Sequence, residues 1–493
     1  MTAPISGISP NSKSPRVARS VFISVIGQIL EWYDFFLYGT AAALVFGELF
    51  FPIDEDPLTG TIAAYGGLAL GFVARPVGGM ICGHLGDRYG RKMVLTLTLS
   101  AMGAATFLMG LLPTYQSIGI AAPILLVALR LVQGLAAGGE WSGSILVISE
   151  NTHQSQRGRF SAWAPCGAVV GFVLSTGAFM LAESVSGEAF MTWGWRVPFL
   201  FSLVLIGVGL YLRTHMDESH EFAEVSVSGK SAHAPIMEVL RCHPREILMI
   251  FGLRLGEGCG SWIFFAFSIA YGKFLGLSNT FLLGALTFSM LLQIPCTLLA
   301  GYACDKLGRK PVYLAGAVAM LLFAYPFFLM FESGIPWVIV TGLVVANGLV
   351  LGLLEGAQPS YISELLPARL RFSGLGIGRE IASVLGGGLA PIIATALLAH
   401  YRAPEPLALY LASMALVTVV ATLLTPETYP REQRIRDREA FETPESKRVY
   451  TESITVDDQR KDAHYGIEDG MSPCNPHTVK ASTPGAAVQN IIL

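Results

Sequence analysis

Long apolar stretches separated by short polar connections run through most of the chain. Windows such as 93–112 and 335–354 hold no charged residue, and as helices they are long enough to cross the roughly 30 Å hydrocarbon layer of a membrane. The pattern predicts an all-α polytopic membrane protein with twelve transmembrane helices, at 20–48, 58–82, 93–113, 119–150, 159–183, 193–213, 246–275, 279–303, 311–332, 335–364, 370–399 and 403–425.

The spacing of these stretches predicts two six-helix halves. The first half covers 20–213 and the second covers 246–425, joined by a polar connection at 214–245. A polar segment, 1–19, precedes them. The tail, 426–493, mixes charged residues with Ser, Thr and Pro without apolar periodicity. We expect this tail to be disordered, apart from a short helix at 431–441.

Composition and the placement of charge agree with a membrane protein. The chain is 52% hydrophobic and 14% charged, whereas soluble proteins carry about 25% charge. Because short cytoplasmic loops collect Lys and Arg, the distribution predicts that both termini are cytoplasmic. The opposite side holds Lys273, Arg402 and the acidic Asp54–Asp56, while the alternate connections hold Arg88, Arg91, Lys92, Arg157, Arg159, Lys306, Arg309, Lys310, Arg369 and Arg371.

One ten-residue motif occurs twice. GHLGDRYGRK at 83–92 returns as GYACDKLGRK at 301–310, a shift of 218 residues. Cytoplasmic loops gather basic residues anyway, but that does not explain the repeated order of Gly, Asp and Arg. The repeat therefore indicates a duplicated unit with a tight cationic loop in each copy.

Ionisable residues lie inside several predicted helices. Each costs several kcal/mol unless it faces a cavity or a partner, so each is a functional candidate. Glu31 and Asp34 share one face of the first helix, because they are three residues apart. Static ion pairs between helices are the alternative interpretation. We assign proton coupling to Glu31, Asp34 and Arg130, with Asp34 and Arg130 as the expected pair.

Each half also carries an Asp, an Arg, a Glu and a second Arg near the predicted cytoplasmic surface. We expect them to form exposed ion pairs of about 0–1 kcal/mol each, which bias a gate rather than clamp it. The gating candidates are Asp87, Arg88, Arg91, Glu150 and Arg157 in the first half, and Asp305, Arg309, Glu364 and Arg371 in the second.

The repeated motif resembles the loop signature of the major facilitator superfamily, and RLVQG at 130–134 resembles its span-four arginine motif. LEWYDFFLYG (30–39), ARPVGG (74–79), GGEWSGSILVISE (138–150) and WGWRVPFL (193–200) resemble the metabolite:proton symporter family. The resemblance implies two pseudo-symmetric bundles around a central cavity. It also implies proton-driven uptake across the cell inner membrane, with roles for Glu31, Asp34, Arg75 and Arg130. No cofactor is expected beyond the coupling ion H⁺, and a monomer is expected to suffice.

We expect the substrate to be a shikimate-like or aromatic monocarboxylic acid, because buried arginines can receive a carboxylate and aromatic rings can contact a ring. The substrate candidates are Tyr33, Tyr38, Arg75, Gln133, Glu140, Trp141, Arg254, Glu257, Trp262 and Arg379. A dicarboxylate or tricarboxylate, a zwitterionic osmolyte, and a transporter-like sensor that signals through the tail remain alternatives. An enzyme is not expected, since the sequence shows no phosphate loop, metal-ligand cluster or nucleophile elbow.

Overall fold

The computed structural model describes residues 15–51, 57–215 and 235–442, and these are almost entirely helical. Within them, eleven helices are long and apolar enough to cross a membrane. The 33-residue helix Pro57–Tyr89 completes a set of twelve. The predicted fold class is confirmed. Positions 1–14, 52–56, 216–234 and 443–493, which include Asp54–Asp56, most of the central connection and most of the tail, lie outside the described residues.

The first six helices form the N-terminal half. They are α1 (Pro15–Ala41), α2 (Pro57–Tyr89), α3 (Arg91–Leu111), α4 (Ala121–Glu150), α5 (Trp163–Ser186) and α6 (Arg196–Thr214). Helix α1 continues through a π-helical turn at Ala42–Phe46 into the short helix Gly47–Leu49. Shorter elements lie between the long helices, at Tyr115–Ile118, Gln154–Gln156, Arg157–Ser161, Gly187–Ala189 and Phe190–Gly194.

The other six form the C-terminal half. They are α7 (Pro244–Trp262), α8 (Asn279–Leu307), α9 (Arg309–Glu332), α10 (Pro336–Leu343), α11 (Arg371–Ala382) and α12 (Pro404–Leu424). Three of them continue past a π-helical turn: α7 through Ile263–Phe267 into Ser268–Phe274, α10 through Val344–Leu351 into Gly352–Ser363, and α11 through Ser383–Gly388 into Ala390–Tyr401. The 3-10 turn Ala368–Leu370 precedes α11.

The repeated motif is more helical than predicted. Helix α2 runs on to Tyr89 and α3 begins at Arg91, so Gly90 alone, at φ 104°, separates them. Gly308, at φ 107°, separates α8 from α9 in the same way. The expected ten-residue loop is wrong because a single glycine with positive φ makes the whole reversal. We call the end of the bundle where Gly90 and Gly308 lie the gate end.

Small residues allow the helices of each half to approach closely. A Cβ atom on Gly138 would meet the backbone of Gly79 at 2.6 Å. In the other half, a Cβ on Gly386 would lie 3.2 Å from the backbone nitrogen of Cys259. Backbones at such distances leave no room for side chains, which suits sliding contacts between membrane helices.

The two halves meet through equivalent glycines at the gate end. A Cβ on Gly83 of α2 would meet Cα of Ser373 in α11 at 2.6 Å. Its counterpart in the second half, Gly301 of α8, lies against Gly158 of the short helix Arg157–Ser161, whose carbonyl oxygen would be 2.6 Å from a Cβ. The contacts obey the 218-residue repeat, so the duplication shapes the interface as well as each half.

Two short helices lie at the gate end. In the helix Pro235–Cys242, Val239 is fully buried against Leu370 and Ile377, and Glu238 pairs with Arg369 at 2.6 Å. The helix Arg431–Glu442 follows α12. The short helix expected at 431–441 is therefore present. Residues 426–430, which we expected to be disordered, connect it to α12.

Replacing Gly83 by Ala should push α2 away from α11 and favour opening at the gate end. The added Cβ would meet only backbone of the opposite half among its nearest neighbours, namely Ser373 and the Phe372 carbonyl. Spin labels at Tyr89→Cys and Leu307→Cys, both exposed positions, should show a longer mean distance by double electron–electron resonance. Gly284→Ala, which has nothing within 4 Å of its Cβ, is the matched control. An unchanged distance in Gly83→Ala would contradict this account of the interface.

Candidate functional site

Arg75 of α2 lies at the centre of the interface between the halves. Its Nη2 is 3.2 Å from Oε1 of Glu31 in α1, and its Nε is 2.8 Å from Oε2 of Glu380 in α11. The three side chains are 6%, 2% and 0% exposed. Arg75 lies about 18 Å along α2 from Asp87 at the gate end. One guanidinium therefore joins both halves deep inside the bundle.

Arg379 strengthens this central contact. It forms an ion pair with the neighbouring Glu380, and its guanidinium carbon lies 3.6 Å from the centre of the Trp141 ring in α4. A cation so close to an aromatic face is attracted to it electrostatically. The C-terminal half therefore contacts the N-terminal half through Glu380 and Arg379 together.

Arg130 of α4 has partners that differ from the expected ones. Its Nη1 donates to Gln133, whose Nε2 donates to the Thr106 hydroxyl at 2.8 Å. Its guanidinium carbon lies 4.9 Å from the centre of the Phe35 ring and 4.4 Å from that of Tyr38. In the described part of the chain its Nε has no hydrogen-bond partner. Arg130 is thus a buried cation held by neutral groups.

The expected ion pair between Asp34 and Arg130 is not formed. Both residues are buried, and no ion pair joins them among the residues that the structure describes. The physical reason is that Gln133 and two aromatic rings already surround the guanidinium.

A small cavity lies between the two arginines. Its volume is about 10 Å³, the room that about one water molecule needs. It contains two cationic groups and one carboxylate, so its walls favour an added anion. An organic acid needs the side chains to move apart before it can enter. The lining residues are Glu31, Phe35, Gly71, Arg75, Met102, Arg130, Gln133, Gly134 and Ala137.

Two substrate candidates of the N-terminal half are engaged in helix packing. The Tyr33 hydroxyl donates to the Pro198 carbonyl at 3.0 Å, which fixes α1 against α6. Glu140 forms an ion pair with Arg213 of α6 and accepts from Thr98 at 2.9 Å. Sequence reasoning missed Arg213 because the residue sits at the end of a predicted span, where basic residues are ordinary.

The C-terminal half has its own buried polar cluster. Arg254 and Glu257 form an ion pair within α7, and Gln358 Nε2 donates to Glu257 at 3.0 Å. Arg254 Nε lies 3.4 Å from the Ser383 hydroxyl, at the start of the π-helical turn that follows α11. Glu355 accepts from Gln293 at 2.8 Å. None of these groups borders the small cavity.

Aromatic rings close the interface on the side of Arg75 that is away from the gate end. Trp262 contacts Phe35 and Phe72 of the other half, with ring centres 5.6 and 5.3 Å apart. Phe265 contacts Phe36 and Phe172 at 5.1 and 5.3 Å. Edge-to-face pairs of this kind add about 0.5–1.5 kcal/mol each beyond their buried area. Trp262 is therefore part of a closed aromatic cluster above the small cavity.

At the gate end, Asp87 caps a helix of the opposite half. Its carboxylate accepts from the backbone nitrogens of Phe372 at 3.3 Å and Ser373 at 2.8 Å, in the first turn of α11. Unpaired N–H groups at a helix start favour such an anion. Arg91 holds the carboxylate at 3.2 Å and also donates to the Ala368 carbonyl at 2.9 Å.

Asp305 repeats this arrangement in the other direction. It accepts from the backbone nitrogens of Gly158 at 2.9 Å and Arg159 at 3.1 Å, at the start of the helix Arg157–Ser161. Arg309 lies 3.2 Å from the Asp305 carboxylate and donates to the Gln154 carbonyl at 2.6 Å. Each half therefore caps a helix of the other. Lys306, in place of the arginine of the first copy, does not disturb this geometry.

The predicted gate residues form ion pairs, but the pairs are buried rather than exposed. Glu150 is 3.1 Å from Arg91 and 3.7 Å from Arg371, while Glu364 is 3.4 Å from Arg309 and 3.9 Å from Arg157. Their side chains are at most 13% exposed. The expectation of exposed pairs is wrong because the opposite half covers them.

Arg88 does not belong to this network. Its guanidinium carbon lies 5.3 Å from the centre of the neighbouring Tyr89 ring, and it is exposed. It forms no ion pair with any residue that the structure describes. Arg88 follows Asp87 directly in the sequence and therefore points to a different face of α2, which is exposed.

The segment after α12 adds contacts that the sequence did not reveal. The Glu427 carboxylate accepts from the backbone nitrogens of Arg309 at 3.0 Å and Lys310 at 3.2 Å, so it caps α9. The Thr428 carbonyl accepts from Gln154 of the N-terminal half at 3.0 Å. The Tyr429 ring centre lies 4.5 Å from the Arg309 guanidinium carbon. The start of the tail is therefore built into the gate.

Comparison with known proteins identifies the family. The model of the Major Facilitator Superfamily matches residues 24–378 and again 261–460. The chain belongs to the major facilitator superfamily. The shikimate transporter of Escherichia coli (strain K12) is 39% identical over 425 residues, which is 84% of this chain and 95% of that protein. The proline/betaine transporter of the same strain is 30% identical over 461 residues, or 91% of each chain.

Solved structures of the superfamily share the fold. The proton:xylose symporter XylE bound to 6-bromo-6-deoxy-D-glucose superposes with a TM-score of 0.68 at 16% identity, covering 84% of this chain and 97% of that one. The curated relatives confirm the predicted resemblance to the metabolite:proton symporters of the superfamily. This superfamily member is therefore a multi-pass membrane transporter of a small molecule, and not an enzyme.

Replacing Asp87 by Asn should favour opening at the gate end of this superfamily member. The amide lacks the negative charge that the first turn of α11 and Arg91 attract, and loss of a helix cap costs about 0.5–2 kcal/mol. The Tyr89→Cys and Leu307→Cys spin-label pair should report a larger open population. Glu183→Gln, an exposed carboxylate near the end of α5, is the control. An identical distance distribution for Asp87→Asn and the control would contradict this role.

Proposed function

We propose that the protein takes up a small organic acid together with protons by alternating access across the cell inner membrane. In this proposal the gate end and both chain termini face the cytoplasm, H⁺ is the coupling ion and no further cofactor takes part. A single copy contains the complete cavity lining and suffices for transport. The observation that carries the proposal is the small cavity, in which Arg75 and Arg130 lie beside the carboxylate of Glu31.

The cavity supports an anionic substrate. Arg130 has no carboxylate partner among the described residues, and its Nε lacks a hydrogen bond. A guanidinium presents several N–H donors that fit a carboxylate, often through two parallel hydrogen bonds. A substrate carboxylate between Arg75 and Arg130 would satisfy both cations.

Glu31 supports coupling to protons. An ionised Glu31 beside a bound carboxylate places two negative charges within a few ångströms, where the repulsion in a buried site is several kcal/mol. A proton on Glu31 removes this repulsion. Binding of the acid and binding of the proton therefore favour each other, which is the thermodynamic requirement for symport.

The relatives and the site together support a choice of substrate class. The shikimate transporter shares 39% identity over most of its length. Phe35 and Tyr38 flank Arg130 and could contact a carbocyclic ring. We therefore propose a shikimate-like or aromatic monocarboxylic acid. A dicarboxylate or tricarboxylate is the second candidate, because Arg254 and Arg379 lie across the interface in the C-terminal half.

The decisive experiment is transport by the purified protein in proteoliposomes with an imposed pH gradient. We expect radiolabelled shikimate to accumulate when the outside is acidic, with competition by aromatic monocarboxylates. Competition by citrate or α-ketoglutarate would favour the second candidate, and competition by proline or betaine would favour an osmolyte carrier. Failure to accumulate any of these acids would count against the function, and signalling lost on deletion of 443–493 would favour the sensor alternative.

Replacing Arg130 by Lys should weaken substrate binding more than turnover. Lysine keeps the charge but loses the planar set of donors, so we expect KM to rise by about tenfold, the effect of one lost hydrogen bond to a charged group. Initial rates of acid-driven uptake measure this. Arg241→Lys, at an exposed position of the helix Pro235–Cys242, is the control. An unchanged KM for Arg130→Lys would remove Arg130 from the binding site.

Replacing Asp34 by Asn should abolish uphill accumulation while exchange of labelled for unlabelled substrate continues. Asp34 is buried on the same face of α1 as Glu31, where a carboxyl group can relay the proton to and from Glu31 and an amide cannot. Accumulation and exchange assays on the same proteoliposomes separate the two activities. Glu48→Gln, at the outer end of the first helix, is the control. Normal proton-driven accumulation by Asp34→Asn would exclude Asp34 from coupling.

A further inference from the structure

We propose that Arg75 exchanges carboxylate partners during transport, and that Glu380 is a positioning residue that prevents leakage of protons. In this scheme Glu380 holds the halves together whenever Arg75 lacks an anion from its own half. The inference rests on the proposed function, since it takes a proton and an organic acid as the transported species.

Glu380 and Glu31, the two carboxylates that contact Arg75, differ in their other partners. Glu380 has two cationic partners, Arg75 of the other half and Arg379 of its own helix. Glu31 has Arg75 and the neutral amide of Gln28 at 3.0 Å. When the halves separate, Glu380 keeps Arg379. Arg75 is the group that loses a partner, and it stays paired only if an anion remains beside it in the N-terminal half.

Four loading states follow from this inequality. In the empty carrier Glu31 is ionised, so Arg75 keeps a partner and the halves can separate. With a proton alone, Glu31 is neutral and separation would leave Arg75 as an unpaired buried cation, which is strongly unfavourable. With proton and acid together, the substrate carboxylate replaces Glu31 as the partner. With acid alone, repulsion from ionised Glu31 weakens binding. The halves therefore separate when both ligands are bound or neither is.

Among the charged groups near Glu31, Arg75 is the one that pairs with it directly. Glu140 of α4 lies beside Gly27, about one turn before Glu31 in α1, and is paired with Arg213. Arg379 is paired with Glu380. Asp34 lies one turn further along α1. The other charged group at the cavity is Arg130, and helix α5 presents glycines to α1, including Gly167 beside Gln28.

Replacing Glu380 by Gln tests the inference by proton flux in the absence of any acid substrate. The variant should let the proton-loaded carrier change conformation, because Arg75 no longer has an ionised partner in the other half to lose. Proteoliposomes with an internal pH dye should show substrate-independent proton entry at least about tenfold above wild type. Glu355→Gln, a carboxylate hydrogen-bonded to Gln293 within the C-terminal half, should remain as tight as wild type. Equal tightness of Glu380→Gln and Glu355→Gln would overturn the inference.

Two further variants keep the test valid if Glu380→Gln is poorly folded. Glu380→Asp, whose shorter side chain weakens the pair, should give an intermediate leak. Glu31→Gln should exchange substrate but not return empty, and adding Glu380→Gln should restore net downhill uptake; no restoration would overturn the exchange scheme. Failure of acid-driven accumulation by the wild type would instead overturn the proposed function, whereas coupled wild-type uptake with a tight Glu380→Gln overturns this inference alone.

Discussion

The pairing of the buried Arg75 guanidinium with a carboxylate of each half is the interaction around which this transporter is organised. Arg75 lies deep in the bundle and contacts a carboxylate on each side of the interface. In a medium of low dielectric constant an unpaired cation is far less stable than a paired one. In our proposal the arrangement of Glu31 and Glu380 determines which movements of the halves are possible, and the small cavity with Arg130 lies where a substrate anion can alter that balance.

The same principle operates at the gate end, in duplicate. Asp87 and Asp305 each bind the start of a helix in the opposite half, and each is held by an arginine four residues later. Because the two arrangements follow the internal repeat, the halves contribute equally to the closed gate. The central contact does not share this symmetry, since Arg75 has no arginine counterpart at 293, which is Gln293. The contacts at the gate end are thus symmetric and the central contact of Arg75 is not. This difference is consistent with one substrate site for two similar halves.

Much of the fold was predictable, because lipid exposure demands long apolar helices and the repeated motif reveals the duplication. Charged residues are costly in such helices, so the sequence was enough to select Glu31, Arg75, Asp87 and Glu150. The sequence was not enough to predict which residues they pair with. The ion pair of Asp34 with Arg130 was predicted from charge alone, whereas Gln133 and aromatic rings surround Arg130. Arg213 and Glu427 escaped notice because each lies at a helix end, where a charge is ordinary, and their partners are distant in sequence.

The reciprocal helix caps have a consequence for hydration. When the halves part at the gate end, the first-turn amides of α11 and of the helix Arg157–Ser161 lose the carboxylates that now bind them. Backbone donors cannot remain without a partner in a nonpolar environment, so solvent must enter as the caps separate. In the closed arrangement carboxylate oxygens accept the hydrogen bonds that water would otherwise accept. Opening is then a replacement of carboxylate oxygens by water oxygens, and solutes that lower water activity should favour the closed form.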